Sequence, residues 1–251
     1  MDAVYSMFKQ HILVKLGWER YKAPKENQVH FVEDESANTF LNDFKRYPHA
    51  YVLACCMDRQ MKAEAAWMIP YKIFQIFGDF SMKTLVSKSA SDYEKVFRKY
   101  KLHRFPESMG KVFYDAVQRI HKIYADDANN IWKDKPSSAT VVYRFLEFNG
   151  VGIKIATMAT NILARDYKIH FSDYYSIDVS PDVHVRRVMF RMGLVEKKAS
   201  NDKIIYKARE LSPDFPGIID FSLWLLGRTT CKAGHPDCEK CLVKKECAQC
   251  K

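Results

Sequence analysis

Two sets of residues in this chain have types and spacings that can do chemistry. The first pairs an amine with a carboxylate. It runs from Asn149-Gly150-Val151-Gly152-Ile153-Lys154 to Pro181-Asp182-Val183-His184. The glycine run predicts a tight hairpin between two helices, because Gly150 and Gly152 permit backbone conformations that a Cβ obstructs. Amides of such a hairpin, followed by a helix first turn, have no intrahelical partner. Asn149, Gly150, Val151 and Gly152 therefore make a ready anion site. Lys154 falls in the first turn of the second helix, and Asp182 opens a later one. A lysine and a carboxylate beside a phosphate-gripping hairpin point to chemistry on a nucleic acid.

The second set is thiolate. Of seven cysteines, five fall within the last 21 residues, and in a reducing compartment such crowding means metal more readily than disulfide. Cys231, Cys238, Cys241 and Cys247 are spaced C-x6-C-x2-C-x5-C, with Cys250 just beyond. Four thiolates on one short loop can hold a [4Fe–4S] cluster. Zinc is the rival, since Cys238-x2-Cys241 and Cys247-x2-Cys250 form two knuckle-like pairs. Five residues between the pairs is tight for a zinc ribbon, and zinc would leave Cys231 idle. The cluster is favoured, with Cys250 as a spare thiol. Lys232, Lys240, Lys244 and Lys245 make the loop basic.

Helical periodicity supplies the elements that must position these groups. Val4, Met7, Phe8, Ile12 and Leu16 mark a first amphipathic helix, and Ser36 to Tyr47 predicts a second that stops at Pro48. The apolar run Ala50 to Met68 carries Met57-Asp58-Arg59-Gln60, with Cys55 and Cys56 as core residues. Ser91-Asp92-Tyr93-Glu94 reads as a capping box for a basic helix to Tyr100. Helices over 108–125, 136–148, 153–165, 182–193, 204–211 and 216–226 follow. Tyr167 to Val179 is different, alternating and aromatic. About ten helices and no repeat give an all-α chain.

The 251 residues suffice for one large domain or two modest ones. A net charge of +10 and a pI near 9.1 favour polyanionic partners. No apolar run resembles a signal peptide or a membrane span, so an intracellular, DNA-associated protein is expected.

Taken together these residues resemble the endonuclease III branch of the helix-hairpin-helix DNA glycosylase superfamily. That signature is L-P-G-V-G-x-K, then D-x-H-x-x-R-V, then G-R-x-x-C opening the four-cysteine spacing. Here they stand, in order, as Phe148 to Lys154, Asp182 to Val188, and Gly227-Arg228-Thr229-Thr230-Cys231. Weaker similarity extends from about Tyr51 to Lys251. Asn149 replaces the usual proline, which should loosen the hairpin slightly. The stretch from Lys154 to Asp182 exceeds the family norm by roughly ten residues, and long loops are often functional. Asp173 and Asp178 lie inside it and compete with Asp182.

The resemblance implies a six-helix barrel over 36–180, with the helix-hairpin-helix at about 138–165. It implies a [4Fe–4S] domain from 1–35 with 181–251, whose cluster loop spans 231–250. It implies a monomer that flips a damaged base, oxidised pyrimidine first, out of duplex DNA. Lys154 would attack the sugar C1′ and form a Schiff base, giving AP-lyase activity. A lysine nucleophile has to be neutral, which burial or neighbouring cations favour. Asp182 would stabilise positive charge on the sugar. Gln60 resembles the glutamine that fills the gap left by the flipped base, and an exposed helix-end residue is the alternative. Arg186 and Arg187 are candidates for phosphate contact, and His184 for packing. Phe171, Tyr174 and Tyr175 either stack on a base or anchor the loop to the barrel. Two other readings stay open: the same scaffold acting on oxidised guanine or another modified or mismatched base, and a non-catalytic iron–sulfur DNA-binding protein.

Overall fold

The computed structural model describes residues 11–250. The expected contributions of Val4, Met7 and Phe8 lie outside that range. Among the described residues there are thirteen α-helices and no strand, so the chain is all-α. No helix among them is long and apolar enough to cross a membrane. The chain divides into two compact units. One is Glu26–Asp134 with Tyr143–Ile155, and the other is Met1–Lys25, Lys135–Val142 and Ala156–Lys251.

The first unit is built round helix α3 (Pro48–Met57), after α1 (Ile12–Lys22) and α2 (Glu35–Asn42). All ten residues of α3 are buried, which marks a helix enclosed on every side rather than one with a single apolar stripe. Pro48 does not end the preceding helix, which stops at Asn42 and not at Tyr47 as the sequence suggests. It opens α3 from the first-turn position, where its missing N–H costs nothing. Cys55 and Cys56 are fully buried in α3, and burial pushes the Cys56 thiol up to about 12. Such thiols are inert core residues.

Around α3 stand α4 (Ala63–Trp67), α5 (Ile69–Phe77), α6 (Met82–Val86), α7 (Ala90–Lys99) and α8 (Pro106–Tyr124). The capping box of α7 is Ser89 with Asp92, not the run starting at Ser91. Ser89 Oγ accepts from the Asp92 amide at 3.2 Å, and the Asp92 carboxylate accepts from the Ser89 amide at 2.9 Å. Proximity of a polar residue to the apolar run thus misled the reading by half a turn.

The second unit holds α1, most of α10 (Ile153–Arg165), α11 (Val183–Arg191), α12 (Asn201–Leu211) and α13 (Asp220–Thr229). Between the two units' segments runs α9 (Ser138–Leu146). Residues 156–180 group with this unit, whereas the expected barrel ran on to 180. The reason is their packing. Asn161 Nδ2 donates to the Gly217 carbonyl at 2.7 Å, and Tyr174 stacks on Phe215 at 5.0 Å. The Tyr174 and Tyr21 hydroxyls meet at 3.1 Å, and Phe171 is buried. Tyr174 therefore anchors the long stretch to α1 and to the α12–α13 connection, with Phe171 packed beside it. Tyr175 alone of the three stays exposed.

Helices α11 and α13 cross where Gly227 meets His184. A Cβ on Gly227 would lie 2.6 Å from His184 Cβ and 3.0 Å from its Cα, closer than carbon atoms tolerate. Gly227→Ala is expected to cost about 2 kcal/mol, as overpacking does. Gly234→Ala, with nothing within 4 Å of the added Cβ, should stay within about 0.5 kcal/mol. Urea midpoints of the two variants decide this, and equal midpoints would refute the close crossing.

Candidate active site and cysteine loop

The hairpin is a turn of defined type. The Val151 amide donates to the Phe148 carbonyl at 3.1 Å, and Gly150, third of the four residues, has φ +80°. A positive φ at that position is the mark of a type II turn, which demands glycine there and favours proline just before it. Asn149 occupies the proline-favouring place. Gly152 is exposed with open space where a Cβ would be, and its carbonyl accepts from the Ile155 amide at 3.0 Å. Lys154, half-buried, is the second residue of α10. One turn along, Thr157 Oγ1 lies 3.4 Å from Ser180 Oγ, two residues before Asp182.

Gln60 does not ride on the apolar helix. That helix ends at Met57, and Gln60 sits exposed on the connection to α4 with φ +53°. A non-glycine residue held there stores backbone strain, a feature concentrated at functional loops. This connection leans on the hairpin, because Arg59 Nη1 is 3.2 Å from where a Gly150 Cβ would stand. Arg59 was passed over in the sequence. Its adjacency to Gln60 was the only signal.

Asp182 caps α11. Its Oδ1 accepts from the His184 and Val185 amides, both at 2.8 Å. No described residue donates to Oδ2, so one carboxylate oxygen remains available. The competing carboxylates are both engaged. Asp178 is buried and receives Arg209 through two bonds of 2.8 Å, which raise the Arg209 pKa. Asp173 accepts from the hydroxyls of buried Ser138 and of Ser172.

The arginines after Asp182 are turned onto carbonyls. Arg187 donates to Gly227 O at 2.7 Å and Cys231 O at 2.8 Å, and lies 3.0 Å from His184 Nδ1. Arg186 donates to Ala199 O at 2.6 Å and to Asn201 Oδ1. Arg191 reaches Lys232 O at 2.7 Å, Ala233 O at 2.8 Å and Cys231 Sγ at 3.4 Å. Arg187 and Arg191 thus hold the start of the cysteine loop.

Cys231, Cys238, Cys241, Cys247 and Cys250 line one cavity, together with Val188, Met192, Leu226 and Val243. Cys238 and Cys250 are bonded to each other, so Cys250 is not the spare thiol expected. Among the described residues no three His, Cys, Asp or Glu groups converge as one metal ion would need. A four-iron cluster makes a different demand, one thiolate to each iron round a wide core. Cysteines ringing an apolar cavity, with the Arg191 guanidinium against Cys231 Sγ, fit that demand once Cys238 is reduced.

No family model matches the chain. Endonuclease III of Thermotoga maritima is 23% identical over 180 residues, spanning 66% of this chain and 80% of that protein. Among solved structures, an endonuclease III trapped as a covalent intermediate with DNA superposes with a TM-score of 0.57 at 15% identity, covering 86% of this chain and 95% of that one. A thermostable thymine-DNA glycosylase gives 0.62 at 13% identity, with 98% of each chain covered. The 8-oxoguanine DNA glycosylase of Thermotoga maritima gives 0.52 at 16%, covering 91% and 99%. The chain is thus similar in sequence to endonuclease III and shares the all-helical fold of these DNA glycosylases.

Proposed function

We propose that the protein is a base-excision DNA glycosylase with associated AP-lyase activity, acting on duplex DNA that carries a damaged base or an abasic site. The observation that carries this reading is the pair of helix starts. Lys154 stands in the first turn of α10 directly after the type II hairpin, and Asp182 caps α11 with one oxygen uncommitted. A glycine turn with Gly152 exposed, leading into a helix N-terminus, suits a DNA phosphate. The Lys154 amine donates its electron pair to the sugar C1′ as the glycosidic bond breaks and the base departs. The C1′–O4′ bond then breaks toward O4′, which takes up a proton, giving the Schiff base; loss of the C2′ proton to water expels the 3′ phosphate by β-elimination. Asp182, through its uncommitted Oδ2, would stabilise positive charge developing on the sugar and help to activate the amine. Gln60, on its strained connection, fills the gap in the stack. Cys231, Cys238, Cys241 and Cys247 hold a [4Fe–4S] cluster, which when bound cross-links the loop that Arg187 and Arg191 support. Oxidised pyrimidine is the substrate put first, and the protein acts as a monomer.

Borohydride reduction on an abasic duplex is expected to trap wild type covalently. Lys154→Gln should abolish the adduct, and an undiminished adduct would remove the lyase claim. Asp182→Asn keeps a capping side chain, so binding should hold within about threefold while base release falls about a hundredfold or more. Equal loss of both would mean a folding role. A panel of oxidised-pyrimidine, 8-oxoguanine and mismatched duplexes separates the substrate readings. Binding with no release from any of them would favour a non-catalytic binder.

The purified protein should be brown with a visible absorbance band. Cys241→Ser should bleach it and Cys250→Ser should not. A colourless, zinc-containing wild type would defeat the cluster.

A further inference from the structure

Proline is favoured at the second position of a type II turn because its ring fixes φ near the required value before folding. Asn149 has no such restraint. Its side chain is instead tied down. Asn149 Nδ2 donates to Asp115 Oδ2 at 2.8 Å across a separation of 34 residues. Asp115 belongs to a stripe on α8 that meets the hairpin residue by residue in antiparallel order. Arg119 pairs with Glu147 at 2.7 Å and lies over the Phe148 ring at 5.6 Å. Asp115 takes Asn149. Val112 comes within 3.5 Å of where a Gly150 Cβ would be. Positions 112, 115 and 119 are helical neighbours on one face. Of these contacts only the Asp115 bond acts on the residue whose φ the turn leaves open.

We propose that Asp115 is a positioning residue of the hairpin, holding Asn149 by a side-chain hydrogen bond as a proline ring would hold the turn from within. The same carboxylate oxygen receives Lys111 Nζ at 2.9 Å, so its charge is offset at the edge of a surface meant for phosphate. The consequence for DNA rests on the proposed glycosylase reading. The consequence for the turn does not. The sign of the effect separates positioning from bystander. A carboxylate that merely sits near a phosphate site repels DNA, and its removal tightens binding. A carboxylate that sets the turn does the opposite.

The test uses full-length Asp115→Ala, Asp115→Asn and Asn149→Pro, with the Asp115→Ala/Asn149→Pro double variant. Two quantities are read: hydrogen exchange of the Val151 amide, and affinity for an abasic duplex at two salt concentrations. Asp115→Ala is expected to speed exchange about tenfold and weaken binding about fivefold, in the range for losing one ordinary exposed hydrogen bond. Asp115→Asn retains an acceptor and should stay within twofold in both. In the Asn149→Pro background, Asp115→Ala should change neither. Unchanged exchange, tighter binding, or a cost that survives in the proline background overturns the proposal. Asn149→Ala removes the same bond without touching α8, so it serves if Asp115→Ala does not fold. Should wild type fail to bind DNA, the functional reading falls, and the exchange measurement still decides the role of Asp115.

Discussion

The amides at the start of a helix have no partner inside it, and in this molecule that deficit shapes both places where chemistry is proposed. At α11 the deficit is met by Asp182, whose single oxygen receives two amides at 2.8 Å. The cap fixes the carboxylate in direction without exhausting it. At α10 the chain enters through a type II turn, with Gly150 at φ +80° and Gly152 uncovered. One helix start is closed by its own anion. The other is preceded by a turn in which Gly152 stands exposed with open space around it, a shape that an incoming phosphate can approach. The first arrangement holds a negative group in place, and the second can receive one.

The arginines illustrate how a net charge of +10 can mislead when read residue by residue. Arg186, Arg187 and Arg191 lie on the helix that Asp182 opens, where a sequence reader looks for phosphate contacts. Their guanidinium groups are taken up by carbonyls at Gly227, Cys231, Ala199, Lys232 and Ala233. A planar fork of donors suits converging loop carbonyls as well as it suits a phosphate. Two loop lysines are similarly occupied, Lys240 by Asp237 and Lys244 by Glu239. Basic composition identifies the partner class, whereas the distribution of carbonyls decides which cations are left to meet it.

Much of the fold was legible because helices announce themselves by spacing. Ile153–Arg165 was read to the residue, and Pro106–Tyr124 within two. The glycine hairpin was legible too, since a turn with positive φ leaves few choices of residue. What failed was local geometry set by distant partners. Spacing puts Gln60 on a helix because apolar residues resume after the polar interruption at 58–60, yet α3 stops at Met57 and the chain bends through a positive φ. Asn149 looked like a loosened proline position because nothing nearby in sequence announces Asp115. The pairing of Cys250 with Cys238 was equally out of reach, since spacing alone leaves several pairings open.

The choice among Asp173, Asp178 and Asp182 shows what a structure adds to a motif. All three sit within ten residues, and sequence context alone preferred the one before His184. Position in the chain says nothing about whether a carboxylate is free to act. Asp178 is buried and held by a bidentate guanidinium, so recruiting it to stabilise a cation would first break both of its bonds to Arg209. Asp173 is tied to Ser138, whose own hydroxyl accepts the Ser176 amide at 3.1 Å and so ties the long stretch to α9. Asp182 spends one oxygen on its helix and keeps the other. An acid that must meet a transient positive charge needs an orientation already fixed by the fold, so that no reorganisation is required as the charge forms. Among the three, only a capping carboxylate satisfies both conditions, because the bonds that orient it are made to one atom and the chemistry is left to the second.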